Sequence, residues 1–328
     1  MFHPPDISVI IPVYNAEGTL ERCLKSVTAT SIESMEIICI NDGSTDNSAS
    51  LLAEWTERDP RIKVYTQANA GVSAARNLGL QHVTGRYLTF VDADDEITPE
   101  YLANLLATAD EHQADLVVCG QQQIDSAGRF TTSTLQVRLM PHLTPADQSQ
   151  LPPSVCSHLY ATRVLRSPSG SIAQFPLNVR YGEDTAFHYS LFPRCRNVVQ
   201  SDETGYIIYY TEGSSNSRAD TLVFDMVKAT AWLTLQYQLS GNTADYRECL
   251  VRYANHAIRR IHSLGFHSNQ SAAAAELREV LRSAGISQSD FDCLRQKDKA
   301  VLSNILRGGN GLNVSYYIKR VRKWLKNK

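Results

Sequence analysis

The most constraining feature of this 328-residue chain is an alternation confined to its first third. Short, almost continuously apolar runs occur at ISVIIPV (7–13), EIICIND (36–42), IKVYTQ (62–67), RYLTFVD (86–92) and DLVVCG (115–120). Stretches with helical spacing separate them, at 17–29, 46–58, 71–83 and 99–112, the last opened by Thr98-Pro99 as cap and first-turn proline. Ile- and Val-rich runs with no polar face suit strands buried on both sides. Their alternation with helices predicts an α/β fold, a mostly parallel sheet with helices on both faces. In such a sheet the ligand crevice lies beyond the carboxyl ends of the strands. The residues just after each run are therefore the ones to inspect.

Beyond residue 120 the pattern changes. QQQIDSAGRFTTSTLQVRL (121–139) reads as a hairpin turning at 126–128, followed by a Pro/Ser-rich stretch and mixed short elements up to GYIIYY (205–210). From about 220 the spacing is almost wholly helical. The expected division is 1–218, made of a 7–120 half and a 121–218 half, and a helical region over 219–328. Composition narrows the class. With 43% hydrophobic and 20% charged residues the chain is globular, and a net charge of −2 gives no reason to expect nucleic acid as partner. The seven cysteines are scattered and form no C-x-x-C pair, which speaks against a disulfide framework or a zinc site and for a reducing cytoplasm. The opening MFHPPDISVIIPVYN has no charged region or cleavage site of an export signal, and no apolar run approaches the ~18 residues of a membrane span.

Four strand-end segments carry polar groups. VDADD places Asp92 at the end of the fourth run and Asp94 and Asp95 just beyond it. Hard oxygen ligands there suit Mg²⁺ or Mn²⁺, which take few carboxylates and leave sites for phosphates. A bare D-x-D arises about once by chance in a chain this long, and Asp290-Phe291-Asp292 is such a match in a helical region. Position separates the two, although an acidic loop that merely favours the next helix would look the same. IPVYNAEGTL sets Tyr14, Asn15 and Glu17 at another strand end, either as a ligand surface or as a loop capped by Asn15. INDGSTDNS closes a strand with Asp42, which could meet a base or ribose or serve a turn and cap. NAGVSAARNLGL carries Arg76 and Asn77 on an otherwise small-residue helix. No G-x-G-x-x-G and no P-loop is present.

Together, and in this order, SVIIPVYNAEGTLERCLKSV, EIICINDGSTDNS, ANAGVSAARNLGL and GRYLTFVDADDEITPEYL resemble the signature of family 2 glycosyltransferases with a GT-A fold, strongly over 7–120 and patchily over 121–218. The resemblance implies inverting transfer of a sugar from a nucleotide diphosphate donor, usually a UDP-sugar, with a divalent metal, Mn²⁺ or Mg²⁺. It implies that Pro12, Tyr14, Asn15 and Glu17 line the nucleotide pocket, that Asp42 meets uracil, and that Arg76 holds base or diphosphate. Asp92 would face the ribose or metal, and Asp94 would ligate the metal. VRYGEDTAFHYSLF (179–192) is similar to the family's Glu-Asp segment, which makes Asp184 the base and Glu183 its neighbour or competitor; the pair could equally just open a helix. YYTEGSSNSR (209–218) resembles a segment near the donor phosphates, bringing in Ser215, Ser217 and Arg218. Relatives often have Asn-Lys where this chain has Ser157-His158; His158 and His188 read as packed side chains, not metal ligands.

The implied acceptor is a saccharide or glycolipid of a surface-polysaccharide or lipopolysaccharide pathway. Residues 312–328 carry six Lys/Arg and no acid around apolar positions at helical spacing. They could lie on an anionic membrane surface, at the cytoplasmic face of the inner membrane, or dock on their own domain. Competing readings are nucleotidyl transfer to a sugar phosphate, which would want a basic Gly-rich loop that PVYNAEGTL lacks, and an inactive nucleotide-sugar-binding scaffold, which would have no need of a base.

Overall fold

The computed structural model describes residues 4–141, 147, 151–152, 154–167, 170–210, 219–240, 243–263, 270–294 and 296–307. Contacts group the chain into two units, 1–217 and 218–328.

In the first unit, strands β1 (Ile7–Val13), β2 (Met35–Asn41), β3 (Ile62–Thr66) and β4 (Tyr87–Phe90) alternate with helices α1 (Leu20–Thr28), α2 (Ser48–Arg58) and α3 (Val72–Gln81). Helix α4 (Tyr101–His112) follows a two-residue strand, β5 (Glu96–Ile97), and precedes β6 (Leu116–Val118). Every residue of β2 is buried, as are all but Pro12 in β1, which is why these runs show no polar face. β7 (Gln121–Ile124) and β8 (Phe130–Ser133) form the hairpin, and Gly128 supplies its positive φ of 75°. Its second arm ends at Ser133, and β9 (Arg138–Pro141) returns to the main sheet. The remaining elements are β10 (His158–Ala161), α5 (Glu183–Leu191), β11 (Asn197–Gln200) and β12 (Tyr206–Tyr209).

The main sheet runs β3-β2-β1-β4-β10-β6-β11-β9, and a smaller one runs β5-β12-β7-β8. The first four strands are parallel as expected, but β10 enters antiparallel between β4 and β6. The large sheet is therefore mixed. Four residues reading His-Leu-Tyr-Ala are too few to announce a strand by periodicity; burial on both sides makes them one. Helices cover both faces. Ile10 and Ile11 point to opposite sides of β1. A Cβ on Gly79 of α3 would lie 2.8 Å from Ile10 Cγ2, whereas the buried Cys23 of α1 lies near Cys39, the register partner of Ile11. Gly79 thus lets α3 sit close on the sheet, which fixes the height of Arg76 and Asn77.

The second unit is helical over its described residues: α6 (Ala219–Ser240), α7 (Thr243–Ser263), α8 (Gln270–Ser283), a 3-10 turn at Gln288–Cys293, and α9 (Gln296–Leu306). Helix α6 packs on α7 and α8, and α8 on α9, around Leu233, Leu250, Tyr253, Leu277, Phe291 and Leu302. Asp290 is a capping residue here: its Oδ2 accepts from the Ser287 N–H at 2.7 Å. Asp292 pairs with Lys299. The second D-x-D match is structural.

Candidate active site

Strand order reverses at β1, with β2 on one side and β4 on the other. The crevice of such a sheet opens at that point, and Tyr14, Asp42 and Asp92 follow these three strands. Two loops are laced together over β1 and β2. Asn15 adopts φ 49°, and its Oδ1 accepts from Thr45 N–H at 2.8 Å. Glu17 Oε2 accepts from Asn47 N–H at 3.0 Å, while Glu17 N–H donates to Asp46 at 2.9 Å. Tyr14 stands 51% exposed at the mouth, and Pro12 is half-buried below it. Asp42 is buried and accepts from Gln67 Nε2, Ala70 N–H and Gly71 N–H at 2.7, 2.9 and 2.8 Å. Its carboxylate thus shapes the loop that leads into α3.

A second cluster centres on Arg76. The guanidinium is only 2% exposed, and three carboxylates meet it. Nη2 donates to Asp92 Oδ1 at 2.9 Å; Nη1 donates to Asp184 Oδ1 at 2.5 Å and lies 3.5 Å from Glu183 Oε1. Burial alone would lower the arginine's pKa, but Asp184 and Asp92 outweigh it and hold it charged. The terminal nitrogens face acids on this chain, so Arg76 clamps the acidic side chains. Glu183 and Asp184 open α5 behind Gly182, whose φ is 83°. Burial and the adjacent Asp184 charge push Glu183 well above the carboxylate range. Asp184 is also raised, by burial, against the opposing pull of Arg76. Its side chain keeps 25% of its surface exposed, against 12% for Glu183.

The Asp92–Asp95 turn is held from two sides. Helix α1 supplies Cys23 Sγ to the Asp92 carbonyl at 3.4 Å and Arg22 Nη2 to the Asp94 carbonyl at 2.5 Å. Strand β12 supplies Tyr206, whose hydroxyl accepts from Asp92 N–H at 3.1 Å and donates to Asp95 Oδ2 at 2.8 Å. Burial, with Asp92 and Asp94 nearby, pushes Asp95 up to about 8. Asp95 is a buried anchor for the turn. Asp92 spends its second oxygen on the Cys156 thiol, 3.5 Å away. Asp94 is the acid left over: it is exposed, and among the described residues its carboxylate has no hydrogen bond or ion pair to another side chain. Partial burial and Asp92 raise its pKa, so a cation beside it would relieve unfavourable charge. Among the described residues no group of three or more His, Cys, Asp or Glu could hold a metal. Asp94 with Asp92 offers at most two carboxylates, a number compatible only with an ion such as Mg²⁺ that completes its shell from other oxygens.

Arg22, Tyr206 and Cys156 were not singled out in the sequence. Each is distant from the acidic turn along the chain and carries no local pattern; only α1, β12 and the segment just before β10 arriving at the same loop reveal them. His158 and His188 are buried, with rings 4.5 Å apart, and Tyr160 OH lies 2.9 Å from His188 Nδ1. Ser215, Ser217, Arg218 and the basic segment 312–328 lie outside the described residues.

With this geometry in place, the comparisons are specific. Residues 8–167 match the family model described as glycosyl transferase family 2. That match takes in just under half of the chain. Over 214 residues the chain is 32% identical to the uncharacterized glycosyltransferase EpsJ of Bacillus subtilis (strain 168), covering 62% of this chain and 60% of that one. Against GlyA of Streptococcus pneumoniae the identity is 47% over 112 residues, but the match spans only 16% of that protein. The chain thus covers less than two thirds of the curated relatives it matches first. Among solved structures, S. aureus TarS 1-349 in complex with UDP-GlcNAc aligns with TM-score 0.78 at 20% identity, over 93% of this chain and 88% of that one. The mannosyltransferase PcManGT from Pyrobaculum calidifontis, in complex with GDP-Man and Mn²⁺, aligns with TM-score 0.52 at 16% identity, over 93% and 86%. These likenesses establish a GT-A-like fold.

Proposed function

We propose that the chain is a metal-assisted, inverting glycosyltransferase that moves a sugar from a nucleotide diphosphate donor, a UDP-sugar, to a hydroxyl of a saccharide or glycolipid in surface-polysaccharide synthesis. One observation carries it: a buried arginine holds Asp184 at the start of a helix and Asp92 beside it, while Asp94 stays uncommitted. A base and a cation ligand are thereby separated in role within one crevice. The UDP-GlcNAc of the TarS structure supports the donor class, and the Mn²⁺ of the mannosyltransferase supports a divalent ion.

In this reading Pro12, Tyr14, Asn15, Glu17 and Asp42 frame the nucleotide end of the crevice. Asp94, with Asp92 alongside on the ribose side, would hold Mn²⁺ or Mg²⁺, which supplies positive charge to the leaving diphosphate. Asp184 takes the proton of the acceptor hydroxyl. The hydroxyl oxygen bonds to the anomeric carbon from the face opposite the diphosphate, the old carbon–oxygen bond breaks with its electron pair on the diphosphate, and configuration inverts. Glu183, the more buried and the more strongly raised of the pair, retains its proton and leaves Asp184 as the acid that ionises. Arg76 orients both without touching the sugar. The reaction belongs at the cytoplasmic face of a membrane, where glycolipid acceptors are displayed.

The test is release of nucleoside diphosphate from a panel of nucleotide sugars with Mn²⁺, with and without chelator. Metal-dependent turnover or binding of at least one donor is expected, and failure with every donor refutes the reading. Asp184→Asn should keep donor binding and lose transfer, whereas Asp94→Ala should lose metal-dependent donor binding. The opposite pattern would exchange their roles.

A further inference from the structure

Asn77 follows Arg76 on α3, and the mechanism above gives it no task. Its side chain is 9% exposed and bridges 98 residues of sequence. Nδ2 donates to the Phe175 carbonyl at 3.0 Å, and Oδ1 accepts from the Phe175 N–H at 2.6 Å. One amide therefore satisfies both backbone groups of a single residue, the pairing that a neighbouring strand would otherwise provide. Phe175 lies on the segment that leads into α5. Its ring stacks on Phe187 at 3.9 Å between centroids with an interplanar angle of 4°, and Arg76 sits over the same ring at 5.3 Å. Phe187 is three residues after Asp184, one turn along the same helix.

We infer that Asn77 is a positioning residue that sets the place of the base: it clamps the Phe175 backbone, Phe175 seats α5 through Phe187, and α5 presents Asp184 to Arg76. The inference rests on the reading of Asp184 as base. Two adjacent residues of α3 then fix Asp184 from two directions, Arg76 by charge and Asn77 through the backbone of the preceding segment. Neither acts on the donor. The glycine at position 79 sets the depth from which both reach, since α3 is pressed against Ile10 there. A displacement of about 1 Å at a reacting group costs on the order of 100-fold in rate, so a clamp of this kind is visible in kcat.

The experiment uses the full chain and the donor that the panel above selects, following nucleoside diphosphate release. Asn77→Ala should lower kcat about 10- to 100-fold with donor KM and UDP affinity within about 3-fold of wild type. Leu80→Ala, on the same helix and 3% exposed, is the destabilised control and should keep kcat within about 3-fold. Asn77→Asp separates positioning from folding. An ionised carboxylate repels the Phe175 carbonyl, whereas a protonated one has the amide's shape and can donate to it. The ratio of the Asn77→Asp kcat to that of wild type should therefore climb toward one as pH falls, with loss of Asp184 function at low pH cancelling in the ratio. A flat ratio, or an Asn77→Ala variant that keeps wild-type kcat or loses kcat and donor affinity in proportion, overturns the inference. A wild type inactive on every donor removes the base reading and the inference with it, a result distinct from active wild type with indifferent variants.

Discussion

At the scale of single residues, the site is governed by how many partners each acid has. Asp92 is divided between Arg76 and Cys156, Asp95 is taken up by Tyr206 and the Tyr209 N–H, and Asp94 has no side-chain partner among the described residues. Three neighbouring carboxylates thereby acquire three tasks. The sequence showed the triplet and its strand end but left Asp95 without a place, because Tyr206 lies 111 residues away. Arg76 is the residue on which the cluster depends. Arg76→Met removes the cation and leaves Asp92, Glu183 and Asp184 facing one another. Loss of one partner of a buried ion pair costs about 3–5 kcal/mol, and urea unfolding at neutral pH should show a destabilisation of that order. Asp184→Asn should instead lower kcat by about 10²–10⁴-fold in a steady-state assay of transfer while leaving UDP affinity unchanged by calorimetry.

At the scale of elements, α3 and the centre of the main sheet determine each other. Gly79→Ala places a methyl group against Ile10, a fully buried branched side chain. Overpacking costs about 1–3 kcal/mol, and the better helix propensity of alanine returns about 1. A net loss of up to about 2 kcal/mol in chemical denaturation is expected, together with a fall in kcat if α3 lifts Asn77 and Arg76. Glu36 is a second junction. Its Oε1 accepts from Ser8 Oγ, Thr84 N–H and Thr84 Oγ1 at 2.6, 2.8 and 2.8 Å, and its Oε2 from Lys63 Nζ at 2.8 Å. Burial opposes its charge, but Lys63, Ser8 and Thr84 outweigh burial and hold the carboxyl below its ordinary value. A depressed folded-state pKa contributes stability above the unfolded value that is lost as pH falls through the folded one. Glu36→Gln should therefore lower the thermal midpoint at pH 7 and narrow its gap from wild type below about pH 4. The parallel strands and α1 to α4 were legible because each combines a run or period with a turn signal. β10 was not, since four residues carry no period and only pairing to β4 and β6 defines them.

At the scale of the molecule, two buried histidines work against acid tolerance. Burial pulls His158 down to about 3 and lowers His188 in the same sense. The folded chain keeps both neutral while the unfolded chain protonates them near pH 6.5, so the unfolded state binds more protons below that value and stability falls with pH. By pH 5 His158 removes about 2 kcal/mol, and His188 acts in the same direction. Asp95, Glu183 and Asp184, whose carboxyls are raised in the folded chain, act in the opposite sense, so the histidines are isolated by difference: the thermal midpoint of a His158→Gln/His188→Gln double variant should shift in the variant's favour relative to wild type between about pH 7.5 and about pH 5.

The division between what composition and pattern settle and what packing settles is physical. Sequence alone determined the alternation of buried strands and helices, the helical character beyond 220, and the strand-end acids, because these depend on neighbours within one turn or one strand. Tertiary structure alone decided which acids are free. Arg76, Asp92 and Asp184 are brought together across 108 residues, and Asn77 reaches Phe175 across 98. Desolvation and hydrogen-bond saturation, which separate Asp94 from Asp92 and Asp95, depend on groups that no local spacing brings together.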